Sequence, residues 1–210
     1  MISWNQAFAA NPLIAILRGL TPERAVETAS VLFDAGFRIV EVPLNSPRPL
    51  ESISAIAETF GDRMVVGAGT VLTADAARAV VTAGGRLIVA PNLDAEVGEA
   101  ARDAGAAWCP GVVTPTEAFL ALRLGAAALK VFPAEMVPPP AVAALRAVLP
   151  PEATVIVVGG ITPDTMAGYR AAGAQGFGLG SALFKPDYDL DMVLGRARQF
   201  RAALKEMREP

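Results

Sequence analysis

A chain with no histidine must draw acid–base and nucleophilic chemistry from other side chains, and two candidates stand out. Glu41 interrupts an apolar run, Ile39-Val40-Glu41-Val42-Pro43-Leu44. Lys130 interrupts another, Ala128-Leu129-Lys130-Val131-Phe132-Pro133. Lysine and glutamate are almost never fully buried unless paired. Lys130 is one of three lysines against 15 arginines, and the other two, Lys185 and Lys205, stand among polar residues. Two readings follow. One is a structural ion pair across the fold, since such pairs also perturb pKa values. The other is a lysine nucleophile with a carboxylate proton shuttle: desolvation disfavours the ammonium, the free amine attacks a carbonyl, and glutamate moves the protons. Without histidine, His-based triads and most zinc sites are excluded. No carboxylate cluster suggests another metal, so the expected metal is none. The single cysteine, Cys109, has no histidine partner and reads as buried packing.

A second set of polar and glycine residues lies where apolar runs stop. Arg18 ends the run Leu13–Leu17 and reads either as a surface cap or as a clamp on a substrate anion. Thr70 follows Gly67-Ala68-Gly69 and is either an ordinary hydroxyl or a donor to a carboxylate. Pro91 and Asn92 end a further run. Gly159-Gly160 closes one run and Gly178-Leu179-Gly180-Ser181 the next. One glycine pair would suit a turn. Two at consecutive strand ends suit a phosphate, because glycine lets backbone N–H groups approach an anion and Ser181 adds a hydroxyl.

The elements that must position these residues recur along the chain. Short apolar runs occupy Leu13–Leu17, Ile39–Leu44, Met64–Ala68, Leu87–Ala90, Ala107–Cys109, Ala128–Phe132, Thr154–Val158 and Gly176–Leu179. They are continuous rather than alternating, as expected of parallel strands buried on both faces. Helix starts repeat between them as Thr21-Pro22-Glu23, Thr114-Pro115-Thr116-Glu117 and Thr162-Pro163-Asp164, with Thr73-Ala74-Asp75 a weaker copy. Helix stops repeat at Gly36, Gly84, Gly105, Gly125 and Gly173. A helix is predicted over Pro22–Ala35, the Pro138-Pro139-Pro140 run reads as a rigid helix entry, and residues 185–210 as a closing amphipathic helix. Eight strands alternating with helices predict one (β/α)8 TIM barrel, an α/β fold, over residues 1–210. A doubly wound open sheet is the alternative, but Arg18-Gly19-Leu20-Thr21 carries no dinucleotide fingerprint and Gly67-Ala68-Gly69-Thr70 is a weak match. In such barrels chemistry sits at the carboxyl ends of the strands, where these polar residues fall.

Composition bounds the partners. Eighteen basic and 21 acidic residues give a net charge of −3 without a basic block, so no nucleic acid is expected. Hydrophobic residues reach 53%, yet Asn5, Gln6, Asn11 and Pro12 break the longest uncharged stretch, Met1 to Leu17. That stretch matches neither a membrane span nor a signal peptide. With one cysteine, a soluble cytoplasmic protein is expected.

Taken in order, Leu13-Ile14-Ala15-Ile16-Leu17-Arg18-Gly19, Glu41-Val42-Pro43-Leu44-Asn45-Ser46, Gly67-Ala68-Gly69-Thr70-Val71-Leu72, Leu129-Lys130-Val131-Phe132-Pro133, Val158-Gly159-Gly160-Ile161 and Gly178-Leu179-Gly180-Ser181 resemble the class I aldolases that cleave 2-keto-3-deoxy-6-phospho sugar acids. The resemblance spans residues 13–184. It implies a (β/α)8 barrel, a homotrimer and no cofactor. Lys130 matches the Schiff-base lysine and Glu41 the general acid/base. Arg18 and Thr70 match ligand-binding positions, and Gly160, Gly180 and Ser181 the phosphate end. Pro91 and Phe132 match apolar contacts to the pyruvyl portion. Gluconate-type members typically carry Arg four residues after the catalytic Glu and Thr before the Gly-Gly pair. Asn45 and Val158 stand there in this chain, as in the galactonate type. The implied reaction cleaves 2-dehydro-3-deoxy-6-phosphogalactonate to pyruvate and glyceraldehyde 3-phosphate. The same chemistry on the gluconate epimer is the alternative. A phosphate-binding barrel isomerase or decarboxylase, or a non-catalytic sugar-phosphate binder, is a more distant one.

Overall fold

A computed structural model describes residues 1–207. The expected strands all form: β1 (Leu13–Ile16), β2 (Ile39–Pro43), β3 (Val65–Gly69), β4 (Leu87–Val89), β5 (Ala107–Cys109), β7 (Leu129–Val131), β8 (Val155–Val158) and β9 (Gly176–Leu179). One more segment, β6 (Gly111–Val112), follows β5 after a single residue, Pro110. The sequence predicted eight strands, and the ninth is the fifth stave cut in two. Proline has no N–H for the ladder. β5 therefore pairs with β4, and β6 with β7. Every pairing is parallel, in the order β5-β4-β3-β2-β1-β9-β8-β7-β6, and Pro110 bridges its two ends. The staves thus form a barrel.

The helices are α1 (Trp4–Ala10), α2 (Pro22–Asp34), α3 (Pro49–Phe60), α4 (Ala74–Thr82), α5 (Ala95–Asp103), α6 (Pro115–Arg123), α7 (Pro139–Val148), α8 (Pro163–Ala171) and α9 (Leu190–Glu206). The helix predicted over Pro22–Ala35 stops one residue earlier. The closing helix begins at Leu190, and residues 208–210 of its predicted span lie outside the described residues. All five glycine stops adopt a positive φ, between +69° and +97°, which ends the helix in the left-handed conformation. The N-caps differ from expectation in detail. Thr114 and Glu117 form a full capping box, and the weaker Thr73 accepts a hydrogen bond from the Ala76 N–H. Thr21 makes no side-chain cap bond.

Continuous apolar strands have a direct cause: both faces are buried. One face packs on the helices through residues such as Leu13, Val40 and Leu129. The other fills the barrel interior with Ile14, Ile39, Val65, Leu87, Cys109 and Ile156. The short helix α1 was not foreseen. Ser3 and Gln6 close a capping box at its start, and Trp4, Ala7 and Phe8 plug the amino-terminal end of the barrel. Arg86 ties this segment down by donating to the Ile2 carbonyl at 2.8 Å. With that end sealed, the carboxyl ends of the strands are left open. Among the described residues, no helix is long and apolar enough to cross a membrane.

Candidate active site

A cavity of about 700 Å³ opens at the carboxyl ends of the strands. Ten of the residues singled out from the sequence line it, Arg18, Glu41, Thr70, Pro91, Lys130, Phe132, Val158, Gly160, Gly180 and Ser181, whereas Asn45 and Asn92 do not.

Its deep end holds the two interrupted strands. Glu41 in β2 and Lys130 in β7 are 2% and 6% exposed, so neither is solvated. Three strands separate them on the sheet, which sets them across the barrel from each other. Their charged atoms are farther apart than an ion pair allows, and Glu41 Oε2 has no hydrogen-bond partner. The structural ion-pair reading fails on this geometry. A buried carboxylate oxygen without a partner is costly and needs an explanation; a reacting group in the gap supplies one. Burial pushes the Glu41 carboxyl up to about 7, opposed by the charges of Lys130 and Arg18. Burial also lowers the Lys130 pKa, while Glu41 pulls the other way. Lys130 Nζ stands 4.6 Å from the centre of the Phe132 ring.

Neighbouring backbone makes room for this pair. A Cβ on Gly69, at the end of β3, would fall 2.1 Å from Glu41 Oε2, so only glycine admits the carboxylate. Thr70 follows with a φ of 55°, rare for a β-branched residue, and this turns its chain to line the cavity. Such conformations cost of order 1–3 kcal/mol and gather at functional sites. Arg18 is held from outside, its Nη1 donating to Asn45 Oδ1 at 2.5 Å. Asn45 therefore reaches the site through Arg18 rather than by lining the cavity. Cys109 is fully buried in the interior and its thiol is pushed up to about 12 by that burial, which fits packing.

The outer end is built from turns. Gly159 and Gly160 have φ of +110° and +59°, conformations that side chains rarely adopt. A Cβ on Gly180 would meet nothing, so no protein group demands glycine there. The Gly180 carbonyl accepts from the Leu183 and Phe184 N–H groups, winding a helical turn that starts at Ser181. Val158 lies between the two ends, its methyls facing Gly178 across the β8–β9 register.

Sequence reasoning missed part of this end. Lys185 was placed among polar residues and Arg196 within an amphipathic helix, yet both line the cavity, as do Thr162 and Tyr188. No local pattern marks them, because the loop after β9 borders the barrel mouth and α9, packed outside the barrel between α8 and α2, brings Arg196 to its edge. The cavity carries four cations, Arg18, Lys130, Lys185 and Arg196, against one carboxylate, Glu41. A chain with a net charge of −3 thus presents a positive cavity. It suits a small substrate with acidic groups at both ends, one of them close to a buried amine. Among the described residues no group of His, Cys, Asp or Glu could hold a metal ion.

A fold of this kind with a buried, unpaired lysine and glutamate at its strand ends is that of a barrel enzyme acting on a small anion. Comparison with known proteins narrows the class. The family model for KDPG and KHG aldolase matches residues 5–193, and the chain belongs to that family. Its members are aldolases, and so lyases. A curated 2-dehydro-3-deoxy-6-phosphogalactonate aldolase of Escherichia coli (strain K12) is 45% identical over 195 residues, covering 93% of this chain and 95% of the relative. The native KDPGal structure superposes with a TM-score of 0.92 at 45% identity, covering 93% of this chain and 95% of its own. A cube-shaped protein cage designed by fusing symmetric oligomeric domains contains a similar barrel, with a TM-score of 0.91 and 45% identity over 93% of this chain and 73% of its own.

Proposed function

We propose that this aldolase reversibly cleaves 2-dehydro-3-deoxy-6-phosphogalactonate to pyruvate and glyceraldehyde 3-phosphate through a Schiff base on Lys130. The observation that carries the reading is the separation of two buried ionisable groups that face one cavity without pairing. Lys130, with its ammonium disfavoured by burial, attacks the C2 ketone as a free amine and expels water to form an iminium. Glu41, acting through a water molecule, takes the proton of the C4 hydroxyl. The C3–C4 bond then breaks, its electron pair moves into the iminium as an enamine, and the aldehyde leaves. The enamine takes a proton at C3, which Glu41 returns, and water releases pyruvate and regenerates the amine. A carboxyl with a pKa of about 7 is poised for both directions of transfer near neutral pH. Arg18 and Thr70 bind the acid end of the substrate, and Pro91 and Phe132 flank the pyruvyl carbons. Gly160, Gly180 and Ser181 take the phosphate.

The galactonate epimer is favoured by Asn45 and Val158 and by the 45% identity to a 2-dehydro-3-deoxy-6-phosphogalactonate aldolase. Assembly as a homotrimer and a cytoplasmic setting belong to the same proposal. The exposed Leu50 and Leu72 supply apolar surface for an interface, and the matched cage was designed from symmetric oligomeric domains. Cys109 is buried without a disulfide, as suits a reducing compartment. Light scattering on the purified protein should give three times the 21.7 kDa chain mass; a monomer overturns the assembly.

Borohydride reduction in the presence of pyruvate tests the mechanism. A pyruvyl fragment should add to the peptide bearing Lys130 and be absent from Lys130→Ala. A label at another lysine sinks the assignment. The epimer is tested by comparing kcat/KM on the galactonate and gluconate keto acids, where a clear preference for gluconate overturns the substrate but not the chemistry.

A further inference from the structure

We propose that Lys185 and Arg196 recognise the substrate's phosphate by charge, so that this chain selects a phosphorylated keto acid over its dephosphorylated form with two side-chain cations beyond the glycine turns. The inference rests on the aldolase reading above and concerns the opposite end of the same cavity.

Both side chains line the cavity together with Gly160, Gly180 and Ser181. They arrive from different elements. Lys185 is four residues past Ser181, directly after the turn that the Leu183 and Phe184 N–H groups close on the Gly180 carbonyl, and its own carbonyl accepts from the Tyr188 N–H. Arg196 sits on α9 beside Ala197, whose burial with Val193, Phe200 and Leu204 fixes the helix face against the barrel. Neither cation is spent on a neighbour. Among the described residues no carboxylate lies within 4 Å of either one. This holds although Asp187, Asp189 and Asp191 are close in sequence; Asp189 instead caps α9 by accepting from the Met192 N–H at 2.7 Å. The Lys185 ammonium stands 5.6 Å from the centre of the Tyr188 ring, which borders the same space.

The other two cations of the cavity, Arg18 and Lys130, are assigned above to the acid end of the substrate, and both act by charge on Glu41. Backbone N–H groups are dipoles that orient a phosphate without neutralising its charge of about −1.5 to −2 at pH 7. Charge-assisted hydrogen bonds are roughly twice as strong as neutral ones, and an arginine fork matches phosphate oxygens. An open, positive rim also raises the arrival rate of an anion.

The test compares the native chain with Lys185→Gln, Arg196→Gln and the double substitution. Each is assayed on the 6-phosphorylated keto acid and on the same acid without phosphate. The ratio of the two kcat/KM values should fall about fivefold in each single variant and more than tenfold in the double one, carried by KM for the phosphorylated acid. Inhibition by glycerol 3-phosphate should weaken by a similar factor. A ratio within twofold of native in the double variant overturns the proposal. Because the ratio is taken within one preparation, a loss of folded protein cannot mimic the effect. If the native chain traps no pyruvate on Lys130, the aldolase reading falls and takes this inference with it. If it traps pyruvate and turns over while the ratio holds, only the inference falls.

Discussion

The two ends of the cavity bind with opposite physics. The deep end is dry: Glu41 and Lys130 sit among apolar strands, and burial shifts both toward their neutral forms. The outer end is wet: Ser181, Lys185 and Arg196 are exposed, and glycine turns present backbone rather than side chains. Reactivity gains from desolvation, since a buried ammonium gives up its proton more readily. Recognition of a phosphate gains from charged donors kept accessible. One cavity can offer both because the barrel interior is sealed by α1 below and rimmed by loops above. The difference teaches that chemistry and affinity are separable here, residue by residue.

The strongest way to break that separation is at Lys130. Lys130→Met should remove turnover by about 10⁴-fold or more, as loss of a covalent nucleophile does, with the substrate still binding at the outer end. Isothermal titration with the phosphorylated acid checks the second half. Next is Glu41→Gln, which should lower kcat by about 10²–10⁴-fold while borohydride still traps pyruvate on Lys130. A near-normal rate would remove Glu41 from proton transfer. Gly69→Ala probes the same carboxylate without altering its chemistry. The added methyl must displace Glu41, so kcat should fall about 10–100-fold, less than outright loss of the proton shuttle costs, and stability by about 1–3 kcal/mol. An unchanged kcat would show that the carboxylate can work from elsewhere.

A smaller effect concerns stability and pH. The folded-state pKa of Glu41 lies near 7, above its unfolded value of 4.5. Between those values the folded protein holds a proton that the unfolded chain has lost, so this group lowers stability as pH rises from about 4.5 through about 7. The penalty, full above that window, is of order 3 kcal/mol. Glu41→Gln should therefore unfold at a higher temperature than the native chain at pH 8, with the gain shrinking toward pH 5. Thermal melts at both values check the sign; a gain independent of pH would contradict a buried, protonated carboxyl. The smallest effect is at Val158, between the two ends. Val158→Thr adds one hydroxyl and should improve the gluconate epimer by about 0.5–1.5 kcal/mol in kcat/KM, a few-fold to about tenfold. A larger change would move epimer selection wholly onto this residue.

Much of the architecture was legible in the chain because it follows from local rules. Continuous apolar runs marked the parallel strands, and the Thr-Pro starts and glycine stops bracketed α2, α6 and α8. The errors have equally local causes. Pro110 divides a stave because of one missing N–H, and α1 escaped notice since Ser3 and Gln6 form a box too small to stand out against a polar stretch. At the site, Lys130 and Glu41 were conspicuous because a charge inside an apolar strand is expensive wherever the strand goes. Lys185 and Arg196 were not, since a cation in a loop or on a helix flank costs nothing and looks like solvated surface.

What the sequence by itself determined is therefore the set of elements, the end of the barrel where chemistry would lie, and the identity of its two buried ionisable groups. All of these are written in residue type and spacing along the chain. What only the tertiary structure decided is how those groups meet. Curvature of the sheet carries β2 and β7 to opposite walls, so that Lys130 and Glu41 face each other without forming an ion pair. Gly69 clears the space beside Glu41, and Asn45 reaches across from the turn after β2 to hold Arg18 after β1. The loop after β9 and the packing of α9 between α8 and α2 bring Lys185 and Arg196 to the mouth, so that an acidic chain presents a positive cavity. Each depends on distances between residues far apart in sequence, set by closure of the barrel rather than by any local preference.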